Sequence, residues 1–331
     1  MLEPTPTAPL DVEARLIVSD AHAALREIPD ASVDLLVTSP PYNIGKEYER
    51  DTRRTLDEYI DWLRPIAIEC HRVLNKRGSL CWQVGNYVNA GQVYPLDLYF
   101  FQAFSSLGMQ LRNRIIWRFN FGLHATKRFS GRYETLLWFT KSEDYKFNLD
   151  PIRIPQLYPG KRHSAAKGAA RAGNPSGNPA GKNPSDYWEF SAKDAFLGDP
   201  VWDIPNVKSN HPEKTIHPCQ FPHELVERCV LAFTDPTDLV LDPFLGAGTT
   251  ALAAIKSGRN VIGIDRDPRY IEIAERRLDQ LKRGELPLRP SGMPVRTPRM
   301  NESVSRVPEA WRENGRGGSE EEEGRPKDPD A

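Results

Sequence analysis

The stretch Asp242-Pro-Phe-Leu-Gly-Ala-Gly-Thr-Thr-Ala251 decides the fold of this chain. The apolar run 238–243 predicts a buried strand before the glycines, and residues 248–257 follow with the spacing of a helix. Two glycines allow the backbone to turn tightly and to approach a ligand between these elements. Asp265 ends the next predicted strand, where a carboxylate can accept hydrogen bonds from ribose hydroxyls. The stretch therefore predicts a nucleoside-binding turn in an α/β sheet.

Runs with strand and helix patterns alternate along the chain. Seven apolar runs predict strands: 15–20, 33–38, 79–84, 112–119, 134–140, 238–243 and 260–265. Helical patterns separate most of them, at 56–74, 96–107, 221–233, 248–257 and 267–282. This alternation predicts a mostly parallel, doubly wound α/β sheet. The runs 112–119 and 134–140 are joined by a glycine-containing loop without a helix, so we expect that pair to be antiparallel.

Taken alone, the glycine turn also fits a dinucleotide-dependent enzyme. Gly246-x-Gly248-x-x-Ala251, with an acid 19 residues after Gly246, satisfies that fingerprint. The chain order argues against it, because one predicted helix follows Asp265 and the remaining strands must come from upstream residues, whereas a dinucleotide domain continues onward from its glycine turn. An acid at the strand tip, Asp242, would also repel a pyrophosphate and attract a cation or an ammonium group.

A second stretch, Thr38-Ser39-Pro40-Pro41-Tyr42, leaves the predicted strand 33–38. Its two prolines fix φ and remove two backbone donors, so the loop presents acceptor groups in a rigid arrangement. The Ser39 hydroxyl and the Pro40 carbonyl can accept hydrogen bonds from an exocyclic amine, and the Tyr42 ring can stack on a flat heterocycle. We expect this loop to hold a planar aromatic amine while its nitrogen attacks an electrophile.

Together, the Thr-Ser-Pro-Pro-Tyr and Asp-Pro-Phe-x-Gly-x-Gly stretches, in this order, resemble the β group of amino-methylating DNA methyltransferases of restriction-modification type, which use S-adenosylmethionine. The resemblance covers roughly residues 14–283 and implies a seven-stranded, circularly permuted class I methyltransferase fold. It implies that a flipped base binds at the Pro-Pro loop, where the catalytic residues would be Ser39, Pro40, Pro41 and Tyr42. The residues that the resemblance places at the cofactor are Asp20, His217, Asp242, Phe244, Gly246, Gly248, Thr249 and Asp265.

The resemblance also assigns roles to the polar residues of this cofactor set. It places Asp242 near the methionine ammonium group, Asp265 at the ribose hydroxyls and Asp20 beside the adenine. The segment His217-Pro-Cys-Gln-Phe-Pro222 is similar to the one that closes over the methionine moiety. A helix N-terminus stiffened by prolines is the alternative interpretation of this segment.

Ser39 bears on the choice of base. In the family, Ser-Pro-Pro-Tyr is commoner in enzymes that modify N4 of cytosine, and Asp-Pro-Pro-Tyr in those that modify N6 of adenine. The resemblance therefore favours N4 of a flipped cytosine in duplex DNA, with N6 of adenine as the alternative. An RNA or protein-glutamine methyltransferase and a non-catalytic DNA-binding or restriction-complex subunit are two further alternatives. A covalent route through Cys219 is disfavoured, because its surroundings lack the residues that support a nucleophile.

Residues 151–210 are the predicted target-recognition insertion. The stretch 151–185 contains several basic residues and no Asp or Glu, and a local basic excess in a chain of net charge −1 is typical of phosphate binding. A solvated linker is the alternative. The expected DNA contacts are Lys46, after the catalytic loop, and Arg153, Lys161, Arg162, Lys167, Arg171 and Lys182.

The remaining sequence sets the domain boundaries and the expected partners. Residues 1–13 and 284–331 are expected to be disordered tails that flank a catalytic half, 14–150, and a cofactor half, 211–283. The four cysteines lack metal-type spacing, so we expect reduced thiols and no metal. No apolar run reaches the roughly 20 residues that span a bilayer. We therefore expect a cytoplasmic, nucleoid-associated enzyme that binds double-stranded DNA, with a separate restriction endonuclease and a homodimer as further candidate partners.

Overall fold

The computed structural model describes nine parts of the chain, all within the first of two compact units, Met1–Pro294. These parts are residues 11–43, 54–89, 91–119, 125–156, 158–164, 172–188, 207, 211–217 and 219–289. The predicted tail 1–13 lies almost wholly outside the described residues, and the tail 284–331 is described as far as residue 289.

The described residues form ten strands and six α-helices. The strands are β1 (Ala14–Val18), β2 (Val33–Thr38), β3 (Leu74–Val84), β4 (Asn86–Asn89), β5 (Gln92–Pro95), β6 (Gln110–Arg118), β7 (Tyr133–Thr140), β8 (Tyr187–Trp188), β9 (Leu239–Asp242) and β10 (Asn260–Asp265). The helices are α1 (Ala21–Arg26), α2 (Leu56–Val73), α3 (Leu96–Ser106), α4 (His223–Phe233), α5 (Thr249–Lys256) and α6 (Pro268–Lys282).

The main sheet has the strand order β1-β10-β9-β2-β3-β7-β6-β8. Its strands are parallel except that β7 runs antiparallel to both of its neighbours, β3 and β6. The predicted mostly parallel sheet, including the antiparallel pair, is therefore confirmed. The two-residue strand β8 adds an eighth strand at the edge beyond the seven predicted ones. Such a short strand has no periodicity that a sequence pattern could reveal.

The pairing of β2 with β9 positions the site. These strands are about two hundred residues apart in the chain, yet Leu35 pairs with Val240 and Leu36 with Leu241. Because the two strands are parallel, their carboxyl ends lie at the same edge of the sheet. The Pro-Pro loop after β2 therefore lies beside the glycine turn after β9. The strand order continues outward from this pair on both sides. Ligands bind at such a switch point in open α/β sheets.

Helices cover both faces of the sheet, so the central strands are apolar on both sides. In β2, Leu35 and Val37 pack into the core under α4, α5 and α6, while Leu36 packs into the core under α2 and α3. The helical pattern predicted at 221–233 corresponds to α4, which is buried at Leu225 and Val226. Each such Leu or Val stabilises the fold by roughly 1.5–3 kcal/mol relative to exposure. Among the described helices, none is both long and apolar enough to cross a membrane.

We expect Gly248→Ala to destabilise the protein more than an ordinary glycine substitution. Gly248 has a φ of +85°, and a Cβ built there lies 2.5 Å from the Cβ of Ala274 in α6. The left-handed backbone costs an alanine about 1 kcal/mol, and forced overpacking adds about 1–3 kcal/mol. Urea unfolding would measure the loss.

Gly284→Ala is the matched control for this substitution. Gly284 has a φ of +69°, but a Cβ there meets no atom within 4 Å, so we expect the backbone cost alone. Equal losses in the two variants would contradict the close packing of α6 against the glycine turn.

A candidate active site at two adjacent strand ends

The carboxylate of Asp242 joins the two loops. It ends β9 and is fully buried. Its Oδ1 accepts hydrogen bonds from the Thr38 hydroxyl at 2.6 Å and from the Phe244 N–H at 3.0 Å. Its Oδ2 accepts one from the Thr250 hydroxyl at 2.6 Å. Because Thr38 ends β2 and Thr250 lies in the first turn of α5, one side chain ties the Pro-Pro loop to the glycine turn.

The environment of Asp242 alters its titration. Burial raises the pKa of this carboxyl to about 6, while the hydrogen bonds from Thr250, Thr38 and the Phe244 N–H act in the opposite direction. The nearby Asp265 raises that pKa further. The predicted contact of Asp242 with an ammonium group stays a prediction, and the structure gives this residue a role in binding the protein's own loops.

Asp265 shapes the glycine turn from the end of β10. Its Oδ2 accepts a hydrogen bond from the Gly246 N–H and its Oδ1 one from the Asp267 N–H, both at 2.9 Å. Burial raises its pKa. Gly246 has a φ of +52°, a conformation that favours glycine. The contact of Asp265 with ribose hydroxyls stays a prediction.

Asp20 lies at the same sheet edge, directly after β1. The backbone N–H of Ser19 donates to the Asp265 carbonyl at 3.0 Å, so the first turn after β1 lies next to the end of β10. The Asp20 side chain caps α1 by accepting hydrogen bonds from the N–H groups of His22 and Ala23. The structure therefore brings Asp20 and Asp265 to adjacent strand ends, and the contact of Asp20 with the adenine stays a prediction.

His217 faces the glycine turn from the segment before α4. A Cβ built on Gly246 would lie 3.0 Å from its Nε2, and its ring packs edge-on against Tyr270, with centroids 4.6 Å apart. Burial lowers the pKa of His217 to about 4, so the imidazole is neutral at pH 7. Its Nδ1 accepts a hydrogen bond from the Cys219 N–H at 3.3 Å, which assigns the proton of the neutral ring to Nε2.

A buried network around Glu213 holds the segment that carries His217. The Glu213 carboxylate accepts hydrogen bonds from the N–H of His223 at 3.0 Å and from the N–H of Arg289 at 3.2 Å. Its carbonyl accepts one from the side chain of Gln220 at 2.7 Å, and the Gln220 oxygen in turn accepts from the Thr215 hydroxyl. The segment is therefore held by its own side chains and by the backbone of Arg289, and it leads into α4 through Pro222 at the helix N-terminus.

Aromatic side chains form the wall between the two loops. The ring of Phe244, in the glycine turn, lies 6.0 Å from that of Trp62 in α2 and 6.4 Å from that of Trp82 in β3. The Tyr59 hydroxyl donates to the Pro41 carbonyl at 2.6 Å and so fastens the Pro-Pro loop to α2. The wall is built from residues of both predicted halves.

The Tyr42 hydroxyl lies among three polar side chains. Its oxygen is 3.0 Å from Ser39 Oγ, 2.7 Å from Gln83 Oε1 and 3.3 Å from Glu134 Oε2. Gln83 also donates a hydrogen bond to Glu134. Sequence reasoning missed Gln83 and Glu134, although a glutamine within the apolar run of β3 was a signal that a buried polar partner was nearby.

The predicted DNA contacts have different surroundings. Arg153 donates to the Asp150 carboxylate at 2.6 Å and to the Gly181 carbonyl at 3.1 Å, so it helps to hold the insertion together. Lys182 lies beside it, in an antiparallel bridge with Ile154. Lys161 and Arg162 are exposed. The remaining three, Lys46, Lys167 and Arg171, lie outside the described residues. DNA binding by all of these side chains stays a prediction.

Comparisons with known proteins show what this chain is similar to. The sequence model of the N6/N4 DNA methylase family matches residues 33–276. The type II methyltransferase M.BglII of Bacillus subtilis is 51% identical over 77% of this chain, and the match spans 66% of that protein, just under two thirds of its length. The DNA adenine methyltransferase YhdJ of Escherichia coli K12 is 36% identical over 81% of this chain and 83% of its own length.

One solved structure adds a ligand to the comparison. TTHA0409 from Thermus thermophilus, complexed with S-adenosyl-L-methionine, superposes with a TM-score of 0.54 at 29% identity. The match covers 83% of this chain and 95% of that one.

The raised pKa of Asp242 predicts a pH-dependent stability. A carboxyl whose pKa rises from 3.8 to about 6 on folding stabilises the protein below pH 3.8, and this contribution is lost as the pH rises through about 6. We therefore expect the unfolding free energy of the native protein, minus that of Asp242→Asn, to fall by about 2–3 kcal/mol between pH 4 and pH 7. Urea unfolding at several pH values measures this difference.

Thr250→Val is the control for this titration. It removes one hydrogen bond to the carboxylate but keeps the titrating group. We therefore expect its unfolding free energy, minus that of Asp242→Asn, to fall between pH 4 and pH 7 as well. A difference between the native protein and Asp242→Asn that stays level or rises over this range would contradict the buried, raised carboxyl.

Proposed function

This chain belongs to the N6/N4 DNA methylase family, and we propose that it transfers a methyl group to the exocyclic N4 amine of a flipped cytosine in duplex DNA. The observation that supports this most is the position of Ser39 and Tyr42 at the end of β2, beside the glycine turn and joined to it through Asp242. An amine held by the first loop would meet a ligand held by the second.

The cofactor is S-adenosylmethionine, in agreement with the family and with the complexed relative TTHA0409. When bound, it supplies an electrophilic methyl group on a sulfonium sulfur. The residues at the glycine turn fit such a group. A side chain on Gly246 would fill the space that faces His217, and the neutral His217 ring adds no positive charge beside a sulfonium. We assign the contact with the ribose hydroxyls of the nucleoside to Asp265. We assign the contact with its adenine amine to Asp20.

The Pro-Pro loop supplies the groups that hold the base. The lone pair of an aromatic amine is delocalised into its ring, so hydrogen bonds from its two N–H groups to Ser39 Oγ and the Pro40 carbonyl favour a nitrogen whose lone pair points out of the ring plane. Extrusion of the base costs a few kcal/mol, and stacking on Tyr42 returns roughly 1–3 kcal/mol. No base is needed before attack, so alignment and electrostatics supply most of the catalysis.

Ser39 favours cytosine over adenine. The resemblance that first identified this loop associates a serine at this position with N4 of cytosine. The competing assignment, N6 of adenine, has one specific observation in its favour, which is the 36% identity to YhdJ, a protein named as a DNA adenine methyltransferase.

The biological setting follows from the type II methyltransferases among the relatives. We propose that methylation takes place on DNA in the cytoplasm and protects recognition sites from a separate restriction endonuclease. The insertion 151–210 would supply the target-recognition contacts, and a homodimer stays a prediction.

Expression in a methylation-free host tests the substrate. We expect nucleoside mass spectrometry of the host DNA to detect N4-methylcytosine, and single-molecule sequencing to locate it in one sequence context. Ser39→Ala removes one acceptor and is expected to lower the methylation rate about 100-fold. N6-methyladenine as the sole product would contradict the assignment of the base, and methylated RNA beside unmodified DNA would contradict the substrate class.

Calorimetric titration tests the cofactor site. We expect His217→Ala to weaken S-adenosylmethionine binding about tenfold, or about 1.4 kcal/mol, because the ring that faces Gly246 is removed. His163→Ala, a histidine of the insertion, is the matched control and should bind normally. An unchanged dissociation constant for His217→Ala would show that this segment does not contact the cofactor.

A further inference from the structure

We propose that Glu134 receives the proton that the target amine loses, through Tyr42 and Ser39, and that Gln83 sets the direction of this hydrogen-bonded path. The inference rests on the proposed function, since the amine is that of the flipped base. It assigns positioning roles to two residues, Gln83 and Glu134, that the sequence motifs do not include.

The path consists of short steps between described side chains. Ser39 Oγ lies 3.0 Å from the Tyr42 oxygen, and that oxygen lies 3.3 Å from Glu134 Oε2. The side chain of Gln83, which is 3% exposed, bridges the last two residues. The chain makes room for this arrangement at Gly85, where a Cβ would lie 3.2 Å from the Tyr42 ring and 3.5 Å from Glu134 Cγ.

The hydrogen-bond directions follow from the acceptor role that the proposal gives to Glu134. An ionised carboxylate can only accept, so the neighbouring group of Gln83 must be its NH2. The Gln83 oxygen then faces Tyr42 and accepts the phenolic hydrogen at 2.7 Å. With its one hydrogen committed, the Tyr42 oxygen must accept the hydrogen of Ser39. The lone pairs of Ser39 are thereby directed towards a substrate amine.

The direction of the hydrogen bond from Ser39 to Tyr42 explains how a neutral serine serves as the acceptor for the amine hydrogen. A free hydroxyl can present either its hydrogen or its lone pairs to an amine, and presenting the hydrogen would be unproductive. Through Gln83 and Tyr42, the Glu134 carboxylate determines that Ser39 presents its lone pairs to the amine. As positive charge develops on the amine nitrogen, its N–H bond to Ser39 strengthens, and each bond along the path strengthens with it.

The proton balance requires such an acceptor. Each turnover forms one N–C bond from the amine lone pair, the electron pair of the methyl–sulfur bond stays on sulfur, and one N–H bond must break. The amine proton moves to Ser39 Oγ, Ser39 passes its own hydrogen to Tyr42, and the Tyr42 hydroxyl rotates from Gln83 and passes its own to Glu134 Oε2. Each bonding pair remains on the atom that loses the proton. A neutral methylated amine and a neutral carboxylic acid result.

Single-turnover kinetics tests the path. Glu134→Gln keeps the size of the side chain and removes its charge, so we expect methyl transfer to slow about 10- to 100-fold. The dissociation constants for cofactor and for duplex DNA should change less than about twofold. Glu272→Gln, an exposed acid of α6, is the matched control and should transfer at the native rate.

A double-mutant cycle asks whether Tyr42 and Glu134 act in one path. Tyr42→Phe keeps the stacking ring and removes the relay oxygen, so we expect a loss similar to that of Glu134→Gln. Because either change breaks the same path, the double variant should be no slower than the slower single variant. Losses that multiply in the double variant would overturn a shared path.

One spectroscopic and one isotopic measurement distinguish a role of Glu134 in the proton path from a purely structural role. In ligand-free protein labelled with 3-fluorotyrosine, the 19F resonance of Tyr42, assigned with Tyr42→Phe, should shift in Glu134→Gln and not in Glu272→Gln. The native transfer rate should fall in deuterated water, and Glu134→Gln should lose most of this isotope effect. An unshifted resonance or an isotope effect that Glu134→Gln retains would overturn the path.

The native protein distinguishes failure of the path from failure of the function. Native protein that methylates cytosine, together with a Glu134→Gln variant that keeps the native rate, would overturn the path and leave the proposed function intact. Native protein that methylates no DNA would overturn both.

Discussion

The buried carboxylate of Asp242 is the interaction on which the two-loop site depends. It accepts hydrogen bonds from Thr38, 204 residues away in the chain, and from Thr250, at the start of α5. Loss of the carboxylate would leave two buried hydroxyl donors without their acceptor, at a cost of about 1–3 kcal/mol each. Adjacent parallel strands bring the Pro-Pro loop and the glycine turn to one sheet edge, and Asp242 then fixes their distance. In the proposed reaction a methyl group moves between ligands of the two loops, so this distance would matter for catalysis.

Much of the fold could be predicted from the sequence, because its long strands and helices have strong apolar periodicity and both central loops carry proline or glycine. The short elements could not be predicted. Helix α1 has six residues and the β4–β5 hairpin has four on each side, too few for a periodic pattern. The strands of the main sheet follow a circularly permuted order along the chain. The sheet still forms, because strand pairing depends on which faces are buried and not on position in the chain.

The structure brings the predicted site residues close together, and their roles towards cofactor and base stay predictions. The Pro-Pro loop and the glycine turn lie at neighbouring strand ends, and Asp242 and Asp265 hydrogen-bond the protein's own loops, a role that a motif cannot reveal. Gln83 and Glu134 escaped prediction because they come from β3 and the distant β7, and only the antiparallel pairing of these strands brings them to Tyr42. A neutral His217 lies at the glycine turn, and the carboxyl group of Glu134 lies next to Tyr42 of the Pro-Pro loop.

The most direct measurement is the crystal structure of this protein with S-adenosylhomocysteine and a duplex that contains its methylated sequence. We expect an extruded cytosine stacked on Tyr42, with its N4 amine within about 3.5 Å of Ser39 Oγ, and the sulfur of the bound product at the glycine turn facing that amine. The hydrogen bonds of Asp242 to Thr38 and Thr250 should be retained. A target base that stays stacked in the duplex, or that binds away from the Pro-Pro loop, would contradict the two-loop site.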